Sequence, residues 1–259
     1  KVRCDILDLC PGDFSRTVRP GLPKLLEVEL PWMSKALTAD HMATIGLLPK
    51  WLPRLQKLVL DFNMAGDLGM CAMFEGLGHG DMPRLEGLSM INNNFGPSGA
   101  EAIAAALSRG ALHKLDRLNI AGNPIGNQGV AALAAPLRKQ PLRTLYLHRC
   151  QISDEGVAEL SKCAQLETVN LTDCVQITET GVAAIIARCE QLHTVGSWIS
   201  WSSDQDQLTG EPMLTDSVLS LYTVKLDMRA VDLRGCGNIT DAGVAELAKC
   251  AQLKSVDLS

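Results

Sequence analysis

His148 and Cys150 stand two residues apart near the middle of the chain. A cysteine beside a histidine can act as a nucleophile with its general base, because the imidazole can take the thiol proton. The alternation of apolar residues here places His148 on the outer face of a strand. Cys150 lies at a position that faces the core, so the two side chains cannot easily meet. We therefore predict that this pair is not catalytic and that the protein is not an enzyme.

Other cysteines and histidines come in pairs that suggest metal ligands. The pairs are Cys163 with Cys174, and Cys189 with His193. A zinc site needs several such ligands converging on one point. These pairs instead arise from a repeat that returns the same residue types at regular intervals, so no metal site is predicted.

Two further segments have residue types that bind charged ligands. Gly76, Gly78 and Gly80 have the composition of a phosphate-binding loop, but no helix follows them, and we expect a flexible connector. Asp204 and Asp206 lie in a polar stretch that we expect to be solvated. The sequence therefore predicts no cofactor.

Composition excludes several classes of function. Hydrophobic residues make up 46% of the chain but aromatic residues only 4%, which indicates many thin layers rather than one large core. The net charge of −5 disfavours nucleic acid as a partner. No apolar run approaches the roughly 20 residues that cross a bilayer, and residues 1–10 show no signal peptide. The nine cysteines recur with the repeat, which predicts reduced thiols in an intracellular, cytoplasmic protein.

One phrase recurs along the chain: apolar, two residues, apolar, one residue, apolar, two residues, then Asn or Cys. Its nine copies, some of them looser or incomplete, begin at Leu25, Leu55, Leu85, Leu115, Leu142, Leu166, Leu192, Met228 and Leu253. The starts lie 24 to 36 residues apart, close to the roughly 20–29 residues typical of leucine-rich repeats. We predict a single array over residues 1–259, an α/β leucine-rich-repeat solenoid (horseshoe) with a concave parallel sheet and convex helices.

Each copy predicts a strand, a turn and a helix. The apolar alternation indicates a strand with one buried face, and neighbouring copies stack into a parallel sheet. The Asn or Cys after each strand is predicted to point inward, where Asn can satisfy buried backbone groups of adjacent turns. Residues 98–107 predict a helix with Ala100, Ile103 and Leu107 on one side.

Helix starts carry their own signals. N-caps are predicted at Ser153, Thr178, Thr215 and Thr240. A glycine recurs in the first helical turn, where the missing side chain is predicted to let the helix approach the sheet. These glycines are Gly99, Gly129, Gly156, Gly181 and Gly243.

The repeats resemble two known classes. Residues 93–103 (NNFGPSGAEAI) and 123–133 (NPIGNQGVAAL) resemble the ribonuclease-inhibitor class. From residue 142 the units resemble the cysteine-containing class found in F-box ubiquitin-ligase receptors, through 177–181 (ITETG), 239–243 (ITDAG) and the spacing of Cys163, Cys189 and Cys250. The resemblance divides the array into residues 25–141 and 142–259.

The resemblance implies binding rather than catalysis. We expect a non-enzymatic protein-interaction module or scaffold subunit, possessing no nucleic-acid or membrane-inserting function. Members of these classes also present substrates for ubiquitination, activate small GTPases or inhibit nucleases. A substrate-recognition part of a ubiquitin ligase and a regulator of an enzyme are therefore open alternatives.

The concave face offers candidate contact residues. Side chains that alternate with the buried ones point outward. In the first half of the array these outward side chains are small and of little chemical variety, whereas in the second half they are chemically varied. Tyr, Trp and Arg are the residue types that anchor interfaces. We predict partner binding by Tyr146, His148, Arg149, Asp173, Trp198, Trp201, Asp232 and Arg234.

An insertion at about residues 199–212 interrupts the copy that begins at Leu192. Trp198 and Trp201, two of the four tryptophans, stand at its start. Insertions in repeat proteins map to loops, often on the binding side. This stretch either forms a rim loop that contacts the partner or folds back over a gap in the solenoid. The sequence ends in a strand without a polar cap, so we expect further repeats or a partner subunit at that edge.

Overall fold

The computed structural model describes residues 2–3, 27–29, 37–48, 52–189, 192, 194–195, 216, 220, 230–232, 239–249 and 255–257. Eight strands form a parallel sheet in which each strand pairs with the next in sequence. They are β1 (Val2–Arg3), β2 (Glu27–Glu29), β3 (Lys57–Val59), β4 (Gly87–Ser89), β5 (Arg117–Asn119), β6 (Thr144–Tyr146), β7 (Thr168–Asn170) and β8 (Thr194–Val195). Two further strands, β9 (Ala230–Asp232) and β10 (Ser255–Asp257), pair in parallel with each other.

Helices alternate with the strands. They are α1 (Ala39–Gly46), α2 (Gly66–Phe74), α3 (Pro97–Ser108), α4 (Gly126–Leu137), α5 (Asp154–Leu160), α6 (Glu179–Arg188) and α7 (Asp241–Leu247). From α1 to α6, each helix packs against the next one along the chain. The predicted α/β solenoid, with one layer of parallel strands and one layer of helices, is confirmed.

The middle residue of each strand from β3 to β7 points into the core. Leu58, Leu88, Leu118, Leu145 and Val169 pair in register along the sheet, and all are buried. The apolar sides of the helices join them in one hydrophobic cluster, to which α3 contributes the predicted Ala100, Ile103 and Leu107. Burying a leucine side chain contributes about 1.5–3 kcal/mol. Many such layers stabilise the array although aromatic residues are few.

Buried asparagines connect the first turns after the strands. Asn93 Nδ2 donates to the Leu60 carbonyl at 2.8 Å, and Asn123 Nδ2 donates to the Met90 carbonyl at 2.9 Å. The backbone N–H of Asn93 in turn donates to Asn123 Oδ1 at 2.9 Å. Each amide therefore bridges two neighbouring repeats, as the sequence predicts, and satisfies polar groups that have no access to water.

Cysteine takes over this position further along. Cys150 Sγ donates to the Ile120 carbonyl at 3.4 Å, and Cys174 Sγ donates to the Leu147 carbonyl at 3.3 Å. The first helix after this change, α5, has 7 residues against 12 in α3 and α4, whereas α6 has 10 and α2 has 9. A thiol makes fewer hydrogen bonds than an amide, so these turns rely more on packing.

The predicted N-caps are confirmed at two positions. Thr178 Oγ1 accepts from the N–H of Thr180, and Thr240 Oγ1 accepts from the N–H of Ala242, both at 3.2 Å. Ser153 also occupies the N-cap position of its helix, as predicted, but it makes no side-chain cap bond. Its hydroxyl instead accepts from Asn127 Nδ2 of the preceding repeat at 2.7 Å. Thr215 lies outside the described residues.

Polar residues at the helix starts link each helix to the next. Asp67 Oδ1 of α2 accepts from the N–H of Gly96 at 2.8 Å and of Gly99 at 2.7 Å. Asn127 Oδ1 of α4 accepts from the N–H of Ser153 at 2.9 Å. An Asp or an Asn can therefore perform this role, because each supplies the required side-chain oxygen.

These links explain the recurring glycines. A Cβ added at Gly99 would lie 2.9 Å from Asp67 Oδ1, and one added at Gly156 would lie 2.7 Å from Asn127 Oδ1. It would also crowd the residue that precedes the helix, such as Phe95 at 2.8 Å from Gly99. Gly99, Gly156 and Gly181 thus make room for a polar side chain of the preceding helix and for their own turn, whereas a Cβ added at Gly129 would lie 2.8 Å from Ile125 and 3.0 Å from Ala100. The expected close approach of helix to sheet is corrected accordingly.

Candidate protein-binding surface

The outer side of the sheet, the concave face, presents side chains in columns. The column at the strand ends contains the half-buried Val59, Ser89, Asn119, Tyr146 and Asn170. The next column contains the half-buried Asp61, Ile91, His148 and Thr172. Ala121 occupies the equivalent position in this second column but is fully buried. Its methyl group is small and is flanked in the column by the larger Ile91 and His148.

Tyr146 lies between two fixed amides. It pairs in register with Asn119 on one side and with Asn170 on the other. Asn119 Oδ1 accepts from the N–H of Ala121 at 3.2 Å, and Asn170 Oδ1 accepts from the N–H of Thr172 at 3.0 Å. The half-exposed phenol therefore stands on a rigid stretch of sheet. A ring with an apolar face and a polar tip is suited to contact a protein partner.

His148 follows Tyr146 on the same face. Burial lowers the pKa of His148 below its ordinary value of 6.5; the Arg149 charge lowers it further, and Asp173 partly opposes both. The imidazole is therefore neutral at pH 7. Its Nδ1 is buried and has no hydrogen-bond partner, which is uncommon for a buried polar atom.

Arg149 and Asp173 form an ion pair beside His148. Arg149 Nε donates to Asp173 Oδ2 at 2.8 Å, and the Arg149 side chain is more than half exposed. Such an exposed pair contributes about 0–1 kcal/mol to stability. Its main effect is to hold the guanidinium in one place at the edge of the concave face.

The structure thus brings together four of the predicted contact residues, Tyr146, His148, Arg149 and Asp173, which we call the concave patch. Asp232 lies in β9, where only the backbone is described. Trp198, Trp201, Arg234 and the insertion at 199–212 lie outside the described residues. Both interpretations of the insertion therefore stay predictions.

Three exposed apolar side chains lie in the connection between β3 and the start of α2. Phe62 is 49% exposed, Met64 66% and Leu68 80%, and we call them the apolar rim. Phe62 and Met64 have φ values of 61° and 50°. This left-handed conformation costs a residue with a side chain about 1–2 kcal/mol. The expectation that the first half of the array presents small outward side chains of little chemical variety concerns the sheet columns, and it does not cover this turn.

The register of the repeats contained the signal for the apolar rim. Phe62 is equivalent to Asn92 and Gly122, and Met64 is equivalent to Asn94. All of these residues have positive φ, and Asn and Gly adopt it at low cost. A comparison of the turns, as well as of the strands, would have identified two bulky residues at positions that favour Asn or Gly.

The described cysteines are free thiols, with Cys71 exposed and the other four buried. Burial raises the pKa of Cys150 to about 12 and the pKa values of Cys163 and Cys189 to about 11. A protonated thiol is a poor nucleophile. Cys150 is fully buried while His148 lies on the concave face, an arrangement that does not suit a nucleophile and its base.

Within the described ranges, no group of three or more His, Cys, Asp or Glu side chains could hold a metal ion. None of the described helices combines the length and the apolar character needed to cross a membrane.

Stacked strand–helix units, with an inward Asn or Cys after each of the strands β3 to β7, give this chain the α/β leucine-rich-repeat fold. The family model described as Leucine Rich repeat matches residues 111–134, 138–161 and 226–248. That model represents a structural repeat and not a catalytic domain.

Two solved structures are similar to this chain. Internalin C2 from Listeria monocytogenes strain 4b F2365 is 18% identical, with a TM-score of 0.51 over 92% of this chain and 82% of that chain. A chain of the Rad7 and Elc1 complex in yeast is 15% identical, with a TM-score of 0.39 over 85% of this chain and 72% of that chain. The likeness to internalin C2 supports the fold and concerns the fold alone.

Proposed function

We propose that this protein is a non-enzymatic interaction module, or the scaffold subunit of an assembly, and that it binds another protein through the concave patch. Leucine-rich-repeat proteins generally mediate protein–protein interactions. The observation that carries the proposal is the fixed position of Arg149, 2.8 Å from Asp173, beside the half-exposed Tyr146. Tyr and Arg on a rigid surface lose little conformational entropy when a partner binds.

His148 adds a further reason to expect a partner here. Its buried Nδ1 has no hydrogen-bond partner, and such a group costs about 1–3 kcal/mol. Rotation of the ring upon binding would let a polar group of the partner reach this nitrogen. Trp198, Trp201, Asp232 and Arg234 would extend the same surface, with the insertion as its rim.

We further infer that one array of about nine repeats spans residues 1–259 and changes class near residue 142. Support comes from the replacement of Asn123 by Cys150 at the inward position. The five described free thiols support an intracellular, cytoplasmic setting, since disulfides form in oxidising compartments. Substrate recognition in a ubiquitin ligase and regulation of a GTPase or a nuclease would use the same patch, and the identity of the partner decides between them.

Site-specific photocrosslinking tests the proposal. Tyr146 is replaced by benzoylphenylalanine, and a matched variant carries the same residue in place of Ala131, which is exposed on α4. We expect a crosslinked protein from position 146 and not from position 131, with a lower yield after Arg149→Ala. Equal crosslinking at both positions, or no crosslinked protein at either one, would contradict the proposal.

A further inference from the structure

The apolar rim has no counterpart in the next repeat. Phe62 and Met64 lie in the turn after β3 and Leu68 lies in the first turn of α2. The equivalent residues thirty positions later are Asn92, Asn94 and Ser98. Folding requires only the backbone of this turn, which Asn92 and Asn94 adopt with φ values of 51° and 58°. Bulky apolar residues that are exposed and conformationally costly are the kind of outlier that indicates a function.

Carboxylates flank the apolar rim. Asp61 precedes Phe62, and Asp67 precedes Leu68. Asp61 Oδ1 accepts from the N–H of Ile91 at 2.9 Å, and Asp67 Oδ1 accepts from the N–H of Gly96 at 2.8 Å. These bonds fix the Asp61 carboxylate just after β3 and the Asp67 carboxylate in the first turn of α2.

Among the described residues 37–48 and 52–108, Lys and Arg occur only at Arg54, Lys57 and Arg84. Residues 58–83 and 85–108 contain no Lys or Arg. Lys57 stands at the start of β3 and Arg84 stands before β4, so both belong to the opposite edge of the sheet. Within the described part of the chain, the apolar rim is therefore flanked by two carboxylates and by no Lys or Arg of its own turn.

We propose that the apolar rim binds a basic amphipathic segment of another protein. Its apolar side chains would cover Phe62, Met64 and Leu68, and its Lys or Arg residues would lie against Asp61 and Asp67. Amphipathic segments commonly dock on a partner through a few apolar anchors, and opposite charge fixes their orientation. This surface lies on other repeats than the concave patch and does not depend on the function proposed above.

The charge also disfavours two other occupants. In a symmetric dimer the same patch meets itself, which would bring Asp61 and Asp67 against their own copies. An anionic membrane surface would likewise repel these carboxylates. A basic peptide is the occupant that both features of the surface favour.

The test is selection from a library of short random peptides displayed on phage, against the 259-residue chain. A variant with Phe62→Asn, Met64→Asn and Leu68→Ser serves for counter-selection, because it copies the next repeat and keeps the charge. We expect enriched peptides with at least two apolar residues and a net positive charge. In fluorescence anisotropy, the variant should bind a selected peptide about tenfold more weakly or worse.

Three further variants isolate the charge and the site. Asp61→Asn with Asp67→Asn keeps the accepting oxygens, as Asn127 does, and should weaken binding at low salt by a few-fold. Val175→Asn removes another side chain that is 75% exposed, and Tyr146→Ala alters the concave patch; neither should change the peptide affinity. Failure to enrich peptides, enrichment of neutral or acidic ones, or equal affinity of the Asn/Asn/Ser variant would overturn the proposal. So would dimerisation or binding of anionic vesicles that is lost in that variant.

Discussion

Arg149 Nε lies 2.8 Å from Asp173 Oδ2, and the contact joins equivalent turn positions of two neighbouring repeats. Both residues have left-handed backbones, with φ values of 57° and 60°. The backbone N–H of Arg149 also donates to the Thr172 carbonyl at 3.0 Å. The turn that forms the apolar rim in the repeat of β3 therefore forms the charged edge of the concave patch in the repeat of β6.

The Arg149–Asp173 pair should matter for binding more than for folding. Because Arg149 is more than half exposed, Arg149→Ala should change the free energy of unfolding by less than about 0.5 kcal/mol. Urea denaturation measures the change, with Arg138→Ala at the exposed end of α4 as the control. A loss of roughly 2 kcal/mol or more would assign the pair a structural role instead.

Removal of one inward asparagine should destabilise the array. Asn123 Nδ2 donates to the carbonyls of Met90 and Ile120, and its Oδ1 accepts from the N–H of Asn93. Asn123→Ala leaves these buried groups without partners and should lower the free energy of unfolding by roughly 2–4 kcal/mol. Asn123→Cys should cost less, since Cys150 occupies the same position in the next repeat. An unchanged urea midpoint for the alanine variant would be inconsistent with a stabilising role of the hydrogen bonds that the inward asparagines make between repeats.

The conformational cost of the apolar rim can be measured in the neighbouring repeat. Asn94 is exposed and has a φ of 58°, so Asn94→Met should lower the free energy of unfolding by about 1 kcal/mol. Ser98→Leu, which copies Leu68 at an exposed helical position, should have almost no effect and is the matched control. If Asn94→Met is as stable as the parent, Met64 bears no such cost, and the functional interpretation of its position loses support.

The features that the sequence predicted are those set by the repeat period and by the alternation of apolar residues along each strand. Leu58 and its equivalents, the inward Asn123 and Cys150, and the caps at Thr178 and Thr240 all follow from residue type at a fixed offset. The bond between Ser153 and Asn127 was not predictable in this way, because it joins two repeats through side chains. The apolar rim was missed for another reason: its signal is backbone conformation, which shows only when Phe62 is compared with Asn92 and Gly122.

The buried thiols should be unreactive in the native protein. Burial raises the pKa of Cys150 to about 12 and those of Cys163 and Cys189 to about 11, from an ordinary 9.0. At pH 8 iodoacetamide should therefore modify the exposed Cys71 much faster than these three, and unfolding in urea should remove the difference. Mass spectrometry of the modified peptides measures each site. Equal native rates would refute the burial of the three thiols.

The same pKa values predict an alkaline loss of stability. Because the folded state raises these pKa values, it favours the protonated thiols, and the resulting stability is fully present below about pH 9. It should be lost as the pH rises from about 9 toward 11 and 12. Urea midpoints measured across this range should fall, and replacing Cys163 by Ala should make the fall less steep. A midpoint independent of pH would contradict the prediction.

The central claim is that the concave patch binds a protein, and quantitative affinity purification tests it most directly. The chain, the Tyr146→Ala/Arg149→Ala variant and the Arg138→Ala control are each used as bait, and the retained proteins are compared by mass spectrometry. The proposal predicts a protein retained by the parent and the control and reduced about tenfold or more with the double variant. Equal recovery with all three baits, or no protein above background, would contradict it.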